Sequence, residues 1–364
     1  MSDTQRRYRA IHQSLHNLSP FEGNGHAMRQ LNTLTAMICG IVGSQKTHLP
    51  QIAGKAPAHG ILRESLIKRF SRYLKNDLID QALYFLPYTQ ALLICLSNRP
   101  LTLIIDGSTV GRGCTALVIS VVVKKRALPV AFLVKKGTKG HWAEKEHLRL
   151  VERVHALVPP SVEVTFLGDG EFDGIELLQR LTQYHWSFVC RTAKSSQIHD
   201  GSLALPFQSY RPEKGHYCHL KDIQFTQKAY GPVQAIIWWG KEYEEPLYLI
   251  SNLTQPRQVI RQYQKRFSIE TFFSDTKSRG FHLHKSHLSD PERLERLMLP
   301  TCLAYIWIVY LGLLAEEDGW IYFIHRSDRC DLSLFQLGLR LLDYFFNEAK
   351  DLPNEFHIWV FEHD

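Results

Sequence analysis

The spacing of apolar residues changes twice along this 364-residue chain, and the changes mark its organisation. Residues 31–42 form an apolar run that predicts a short helix. In residues 61–76, Leu62, Leu66, Phe70 and Leu74 recur on one side of a second helix. Residues 43–60 are turn-rich and read as a connector, and 78–96 predict a further helix leading out of this region. Residues 1–30 are polar and are expected to be loose. From residue 101 strand-like runs take over. Residues 101–106 and 162–169 each predict a strand ending on a carboxylate, and 186–191 a third. Residues 115–123 and 128–136 predict a hairpin turning at Lys124, Lys125, Arg126 and Ala127. Helical patterns at 144–157 and 174–184 complete a β-β-β-α-β-α-β order, which is that of a mixed sheet with helices packed against it. Asp106 and Asp169 both sit where a strand meets its loop, the usual place for chemistry in such sheets.

Residues 195–245 break this pattern with Gly, Pro, Ser and Lys and short β-like runs at 223–225 and 233–239, which suggests a small β insertion. Residues 246–253 return to strand. No Pro or Gly lies between Pro256 and Gly280, so one helix is expected there. A loop at 280–287, helices to about 315 and a helix over 332–350 follow. The expected units are therefore a helical domain at 1–97, an α/β domain in two parts at 98–194 and 246–315, the insertion at 195–245, and an acidic helical segment at 316–364. Residues 297–315 are uncharged over nineteen positions, just enough to span a bilayer. Pro300, Thr301, Cys302 and Gly312 dilute that run, so a buried core helix is expected and no membrane.

Charge sharpens the division. The net charge is +7, but residues 1–100 hold twelve Lys/Arg against five Asp/Glu, and residues 316–364 hold four against eleven. The first end suits a polyanion and the last repels one. Lys68, Arg72 and Lys75 stand at i, i+4 and i+7 with Arg69 beside them, a face that suits DNA contact as well as plain solvation. Arg6, Arg7 and Arg9 are expected to be available to a DNA backbone. The acidic end reads as a dimerisation or restraining element. Seven scattered cysteines show no CxxC spacing, which argues against a zinc site or disulfide framework and fits a reducing cytoplasm. His216, Cys218 and His219 lack a second ligand pair and read as a surface loop. The first residues, MSDTQRRYRA, lack an apolar signal core.

The chemistry gathers on the helix expected at 256–280. At 100° per residue Tyr263, Arg266, Glu270 and Lys277 fall within about 60° of one another, with Phe267 and Phe273 flanking them. A carboxylate between cations, walled by aromatics, suits a phosphate-facing surface; the plain alternative is a solvated face with an Arg266–Glu270 pair. If Asp106, Asp169 and Glu270 converge, each pair at ~5 Å repels by ~3 kcal/mol at an effective dielectric near 20. Such a cluster needs divalent cations, and all-oxygen ligands select Mg²⁺ or Mn²⁺. Two ions would activate a water or 3′-hydroxyl and stabilise the departing oxygen at phosphorus.

At these residues the sequence resembles the DDE transposases of the cut-and-paste insertion-sequence group, whose signature is Y-x2-R-x3-E-x6-K. Tyr263, Arg266, Glu270 and Lys277 match it; Ile105-Asp106-Gly107-Ser108-Thr109 and Gly168-Asp169-Gly170-Glu171-Phe172 match the family's two other carboxylate motifs. The resemblance covers roughly residues 30–315. It implies a ribonuclease H-like mixed sheet with flanking helices, a β insertion and a helical N-terminal DNA-binding domain. It also implies two Mg²⁺ or Mn²⁺ ions on Asp106, Asp169 and Glu270, and phosphate contacts from Tyr263, Arg266 and Lys277. The implied partners are terminal inverted repeats and target DNA, bound by a homodimer. The implied reaction is nicking, a hairpin intermediate, its opening and 3′-hydroxyl attack on target DNA. A hairpin needs a base held out of the stack by an aromatic surface. Trp238, Trp239 and Tyr248 are the candidates, although the family's stacking Trp falls where this chain has Leu247 and Tyr248. Trp142 is expected to pack near the sheet. Two other readings compete: a metal-dependent nuclease of the same fold that cuts without joining, and a DNA-binding protein that keeps the fold without the activity.

Overall fold

The computed structural model of the chain describes residues 1–19, 25–58, 60–137, 142–200, 203–326 and 329–353. The first region is helical from its start. Helix α1 (Asp3–Asn17) is closed by a reciprocal Ser2–Gln5 cap and buries Ala10, Ile11 and Leu15. The expectation of a loose segment is therefore corrected, and with it the role of two arginines. Arg7 is buried and its guanidinium donates to the Cys39 carbonyl at 3.0 Å and the Lys55 carbonyl at 3.3 Å. Arg6 donates to the carbonyls of Phe345, at 3.2 Å, and Lys350. These side chains bond backbone carbonyls of other helices and their flanks instead of facing solvent; Arg9 stays exposed. Helix α2 (Gly25–Ser44) overruns its predicted ends, and the connector contains α3 (Leu49–Lys55) before α4 (Arg63–Lys75). The helix expected at 78–96 is two, α5 (Gln81–Tyr84) and α6 (Leu86–Cys95), because Pro87 has no N–H to continue the first and opens the second.

The sheet begins with β1 (Leu101–Gly111), β2 (Cys114–Val123) and β3 (Arg126–Lys136), an antiparallel meander. Strand β1 does not stop at Asp106 but runs on to Gly111, because β2 continues to pair with it. Pro129 is tolerated in β3, an edge strand with a bulge opposite Ile119 and Ser120. Helix α7 (Glu144–His155) leads to β4 (Val164–Gly168), parallel to β1, and α8 (Ile175–Gln183) leads to β5 (Ser187–Arg191), parallel to β4. Next come β6 (Gln197–Asp200), β7 (Leu203–Pro206), β8 (Tyr217–Phe225), β9 (Tyr230–Trp238) and β10 (Leu247–Ser251). Among the described residues the order is β3-β2-β1-β4-β5-β10-β9-β8-β6-β7, one ten-stranded sheet. The insertion thus extends the main sheet. Strand β10 lies against β5 and would leave an open edge, which β9 closes. Residues 233–238 are buried without alternation, as a strand covered on both faces requires. Cys218 and His219 belong to β8, not to a loop, and His219 Nε2 is bonded to Gln234 at 2.9 Å.

Two helices, α9 (Pro256–Lys265) and α10 (Ser268–Thr276), replace the single one expected. After a short turn at Leu283–Lys285, α11 (Pro291–Glu317), α12 (Ile321–Ile324) and α13 (Leu334–Asn347) close the fold. Helix α11 is long and apolar enough to cross a membrane, but 94% of its apolar window is buried inside the protein, against α2, α4, β3 and α13. It crosses α13 at Gly312 and Gly338; a Cβ at either would overlap a backbone carbonyl of the other helix. Helix α13 gives Leu334, Phe335, Leu337, Leu341 and Phe345 to the common core. Helix α13 is therefore a core layer, whereas residues 316–333 bury no side chain among the described residues, and the part of the acidic segment at 354–364 lies outside the described residues.

Candidate active site

Strand register brings the first groups together. Ile104 pairs with Leu167 and Gly168 with Cys190, both in parallel. Continuing these registers puts Asp106, Asp169 and Arg191 level along the lines of three neighbouring strands, about 4.8 Å apart at each step and on one face. Asp106 Oδ1 accepts the Gly107 N–H at 2.7 Å, and Asp169 Oδ1 accepts the Glu171 N–H at 3.0 Å. Glu171 in turn accepts the Trp142 N–H at 2.5 Å. The Trp142 indole lies beside Gly107, under the Lys135 ammonium at 4.0 Å from its ring centre. Trp142 therefore backs β1 beside Asp106.

The helix pair supplies the rest. Between α9 and α10 the backbone bonds tighten to three-residue spacing: Arg266 N–H to Tyr263 O at 2.9 Å, Ile269 N–H to Arg266 O at 3.3 Å, Glu270 N–H to Phe267 O at 3.2 Å. That step turns Arg266 inward. Its Nη1 stands 3.4 Å from Asp106 Oδ2 and its Nη2 3.4 Å from Glu270 Oε1. The Arg266 and Asp106 side chains are 9% and 17% exposed, whereas Glu270 is 60% exposed. Arg266 Nε is buried with no partner, and the guanidinium lies over the Phe267 ring at 4.6 Å. Tyr263 is buried beside it: burial pushes its hydroxyl pKa up, Arg266 and Arg191 pull it down, and Asp169 adds to the rise. Lys277 caps α10 and donates from Nζ to Ser108 Oγ, two residues past Asp106. Arg266 thus joins Asp106 to Glu270, and Lys277 reaches the same stretch of β1, while Asp169 stands level with Asp106 by strand register alone.

The donor set fits a hard divalent cation, since every candidate ligand is a carboxylate oxygen. The Arg266 guanidinium lies between Asp106 and Glu270. Among the described residues no three His, Cys, Asp or Glu side chains stand close enough together to hold an ion, so Asp106, Asp169 and Glu270 do not form the close cluster that the sequence led one to expect.

Other candidates are more spread. Lys68, Arg72 and Lys75 are exposed on α4, and Arg69 donates to Thr33 Oγ1 at 2.9 Å. Arg69 and Arg72 line an open groove of about 640 Å³ between α2 and α4 together with His26, Arg29, Gln30, Thr33, Tyr73 and Asn76. Arg29 and His26 were hidden in the polar stretch expected to be loose. Trp238 and Tyr248 are buried; Trp239 is half-buried, donating to the Tyr243 carbonyl at 3.0 Å with Arg211 4.8 Å from its ring centre. Sequence reasoning missed the aromatic row that reaches the site. Tyr263, Phe267, Tyr243 and Trp238 follow one another at centroid distances of 6.3, 6.4 and 5.2 Å, with Phe267 exposed at the rim. Its one signal was Phe267 four residues after Tyr263. Arg191 was missed because it carries no motif; only register reveals it.

The sheet order, its flanking helices and the two aspartates level on neighbouring parallel strands are those of a ribonuclease H-like fold. The family described as Transposase DDE domain matches residues 99–307, more than half of the chain, and the chain belongs to that family. In fold it is similar to piggyBac transposase, solved by cryo-EM as a synaptic complex with hairpin DNA. That match has a TM-score of 0.50 at 13% identity and covers 97% of this chain and 83% of the other. No curated protein matches the sequence.

Proposed function

We propose that this transposase belongs to an insertion sequence, binds terminal inverted repeats through residues 1–97, and cuts and joins DNA as a homodimer by way of hairpin ends. Asp106, Asp169 and Glu270 are the residues that would hold Mg²⁺ or Mn²⁺, in a catalytic domain formed by residues 98–194 and 246–315 with the strands of 195–245 appended. The observation that carries the reading is the Arg266 guanidinium 3.4 Å from both Asp106 and Glu270. The bound cations would activate the attacking hydroxyl and stabilise the leaving oxygen. The chain's own residues do the positioning. Arg266, released from the carboxylates, offers a fork of N–H donors to a phosphate beside the scissile bond. Lys277 holds a second positive charge at Ser108, and the Tyr263 hydroxyl stays protonated as a donor. Phe267 and Tyr243 give an unstacked base a face to rest on; of the two tryptophans on the insertion, Trp239 is more open than Trp238. The hairpin step is supported by the hairpin DNA in the piggyBac complex. A reducing cytoplasm, at the nucleoid, is the expected setting.

Incubation with candidate end DNA, intact or pre-nicked, and Mn²⁺ tests this on a denaturing gel. Hairpin and strand-transfer products are expected, with Asp169→Asn abolishing both while leaving DNA binding in place. Cleavage without transfer makes the protein a nuclease, and unchanged turnover of Asp169→Asn ends the catalytic assignment.

A further inference from the structure

Past Asp106, β1 runs on toward a group of cations that the reaction above does not use. Lys277 reaches Ser108; at the far end of the strand the Arg112 N–H bonds to the Leu288 carbonyl at 3.1 Å, and Arg112 Nη2 bonds to His287 Nδ1 at 3.0 Å. The His287 ring meets His48 edge-on, with centroids 4.8 Å apart. Thr47, next to His48, donates to the His282 carbonyl at 3.3 Å, so the α2–α3 connector is clipped onto the loop after α10. His282 and His284 lie 6.1 Å apart, with Lys285 following them. Asp290, three residues past His287, is turned away to cap α11 through the Arg293 N–H at 2.8 Å. None of Lys46, His48, His282, His284, Lys285 and His287 forms an ion pair with a carboxylate among the described residues.

We propose that Lys46, His48, His284, Lys285 and His287 form a phosphate-binding site that holds the DNA backbone on one side of the scissile position, joining the N-terminal helices to the catalytic edge. The proposal rests on the reading of this chain as a DNA-cutting enzyme. Cations held together without acidic partners repel one another, and a polyanion relieves that repulsion. The histidines record it: the pKa of His282 is lowered by burial and by Lys46, Lys285 and His284, that of His284 by burial, Lys285 and Lys277, and that of His48 by burial and His287. Of the charged groups on the loop, the connector, the β1–β2 turn and the end of α10, Lys46, Arg112, Lys277, Arg279 and Lys285 are basic, while Asp290 caps α11 and Asp275 is paired with Arg126. A bound phosphate therefore lifts these pKa values and draws in protons. From Asp106 to Arg112 the strand advances about 20 Å, or roughly six base pairs of DNA.

The test measures binding of the full chain to an arbitrary 40-base-pair duplex against salt, at pH 6 and pH 8. It compares wild type with His284→Gln/Lys285→Gln and with Lys46→Gln/His48→Gln; Lys285→Arg serves as the charge-preserving variant. Each double variant is expected to lower the slope of log K against log salt by about 0.9 for every phosphate it no longer neutralises. Each should also bind with less gain between pH 8 and pH 6 than wild type, whose affinity rises as the histidines take up protons; Lys285→Arg should keep the slope. Unchanged slope and unchanged pH response in both double variants overturn the site while the enzyme reading stands. No binding by wild type at any salt overturns both.

Discussion

Replacing Arg266 by Met asks whether this guanidinium is the counter-ion of the metal-free site. At 3.4 Å and an effective dielectric near 20, each of its two contacts is an attraction of ~5 kcal/mol before desolvation. The Glu270 contact is mostly in solvent and is worth about 0–1 kcal/mol after screening. The Asp106 contact is mostly buried, and leaving one partner of such a pair costs about 3–5 kcal/mol. Arg266→Met is therefore expected to lose about 3 kcal/mol in EDTA, and Asp106→Asn/Arg266→Met to recover a good part of that loss because no bare carboxylate is left. Mn²⁺ at a hundred times its Kd should return about 2.7 kcal/mol to Arg266→Met. It should help wild type less, since ions must first displace the guanidinium. Urea unfolding of wild type and the two variants with EDTA and with Mn²⁺ measures all of this without DNA. Equal stability of wild type and Arg266→Met in EDTA, together with equal Mn²⁺ shifts, would falsify the counter-ion role.

Three further outcomes are expected. Asp275 on α10 pairs with Arg126 of β3 at 2.9 Å, yet burial raises its pKa to about 6 against the pull of Arg126 and Arg279. A carboxyl raised on folding contributes stability that is complete below its unfolded value near 4 and is lost as pH rises through about 6. The stability gap between wild type and Asp275→Asn should thus shift by up to ~3 kcal/mol in wild type's favour on going from pH 7 to pH 4; a gap that does not change with pH refutes the burial. In the α2–α4 groove, Arg29→Gln/Arg72→Gln should weaken duplex binding and lower the salt slope by about 0.9 for each phosphate left unneutralised, and a flat comparison removes the groove from the DNA path. Phe267→Ala should depress hairpin product more than first-strand nicking; equal loss of both assigns Phe267 to packing.

The sheet was readable because its strands are apolar runs between turn signals; Asp169 does fall at a strand–loop junction, whereas Asp106, expected at one, lies within β1 because β2 goes on pairing past it. What the sequence hid was tertiary in origin. Nothing between Pro256 and Gly280 breaks a helix, yet the backbone tightens at Arg266 and Phe267, where the guanidinium leaves the helical stripe to reach Asp106 on a strand 160 residues earlier. A helical wheel places Arg266 beside Glu270 on one face; the fold places it beneath Glu270, between two carboxylates. Arg7 was misjudged for the same reason, because a charge count cannot tell a solvated arginine from one that satisfies buried carbonyls. The insertion was seen as β-rich but not as part of the sheet, since pairing of β9 to β10 depends on an exposed edge, which composition does not reveal. Register also explains why Arg191 had no motif: its place beside Asp169 comes from three parallel strands starting at matched levels. If the site works through that alignment, shifting β5 by one residue should move Arg191 to the opposite face while leaving Asp106 and Asp169 where they are. A one-residue deletion in the α8–β5 turn should therefore impair phosphate contact near Asp169 more than it impairs metal binding, and equal damage to both would mean that Arg191 serves the fold and not the site.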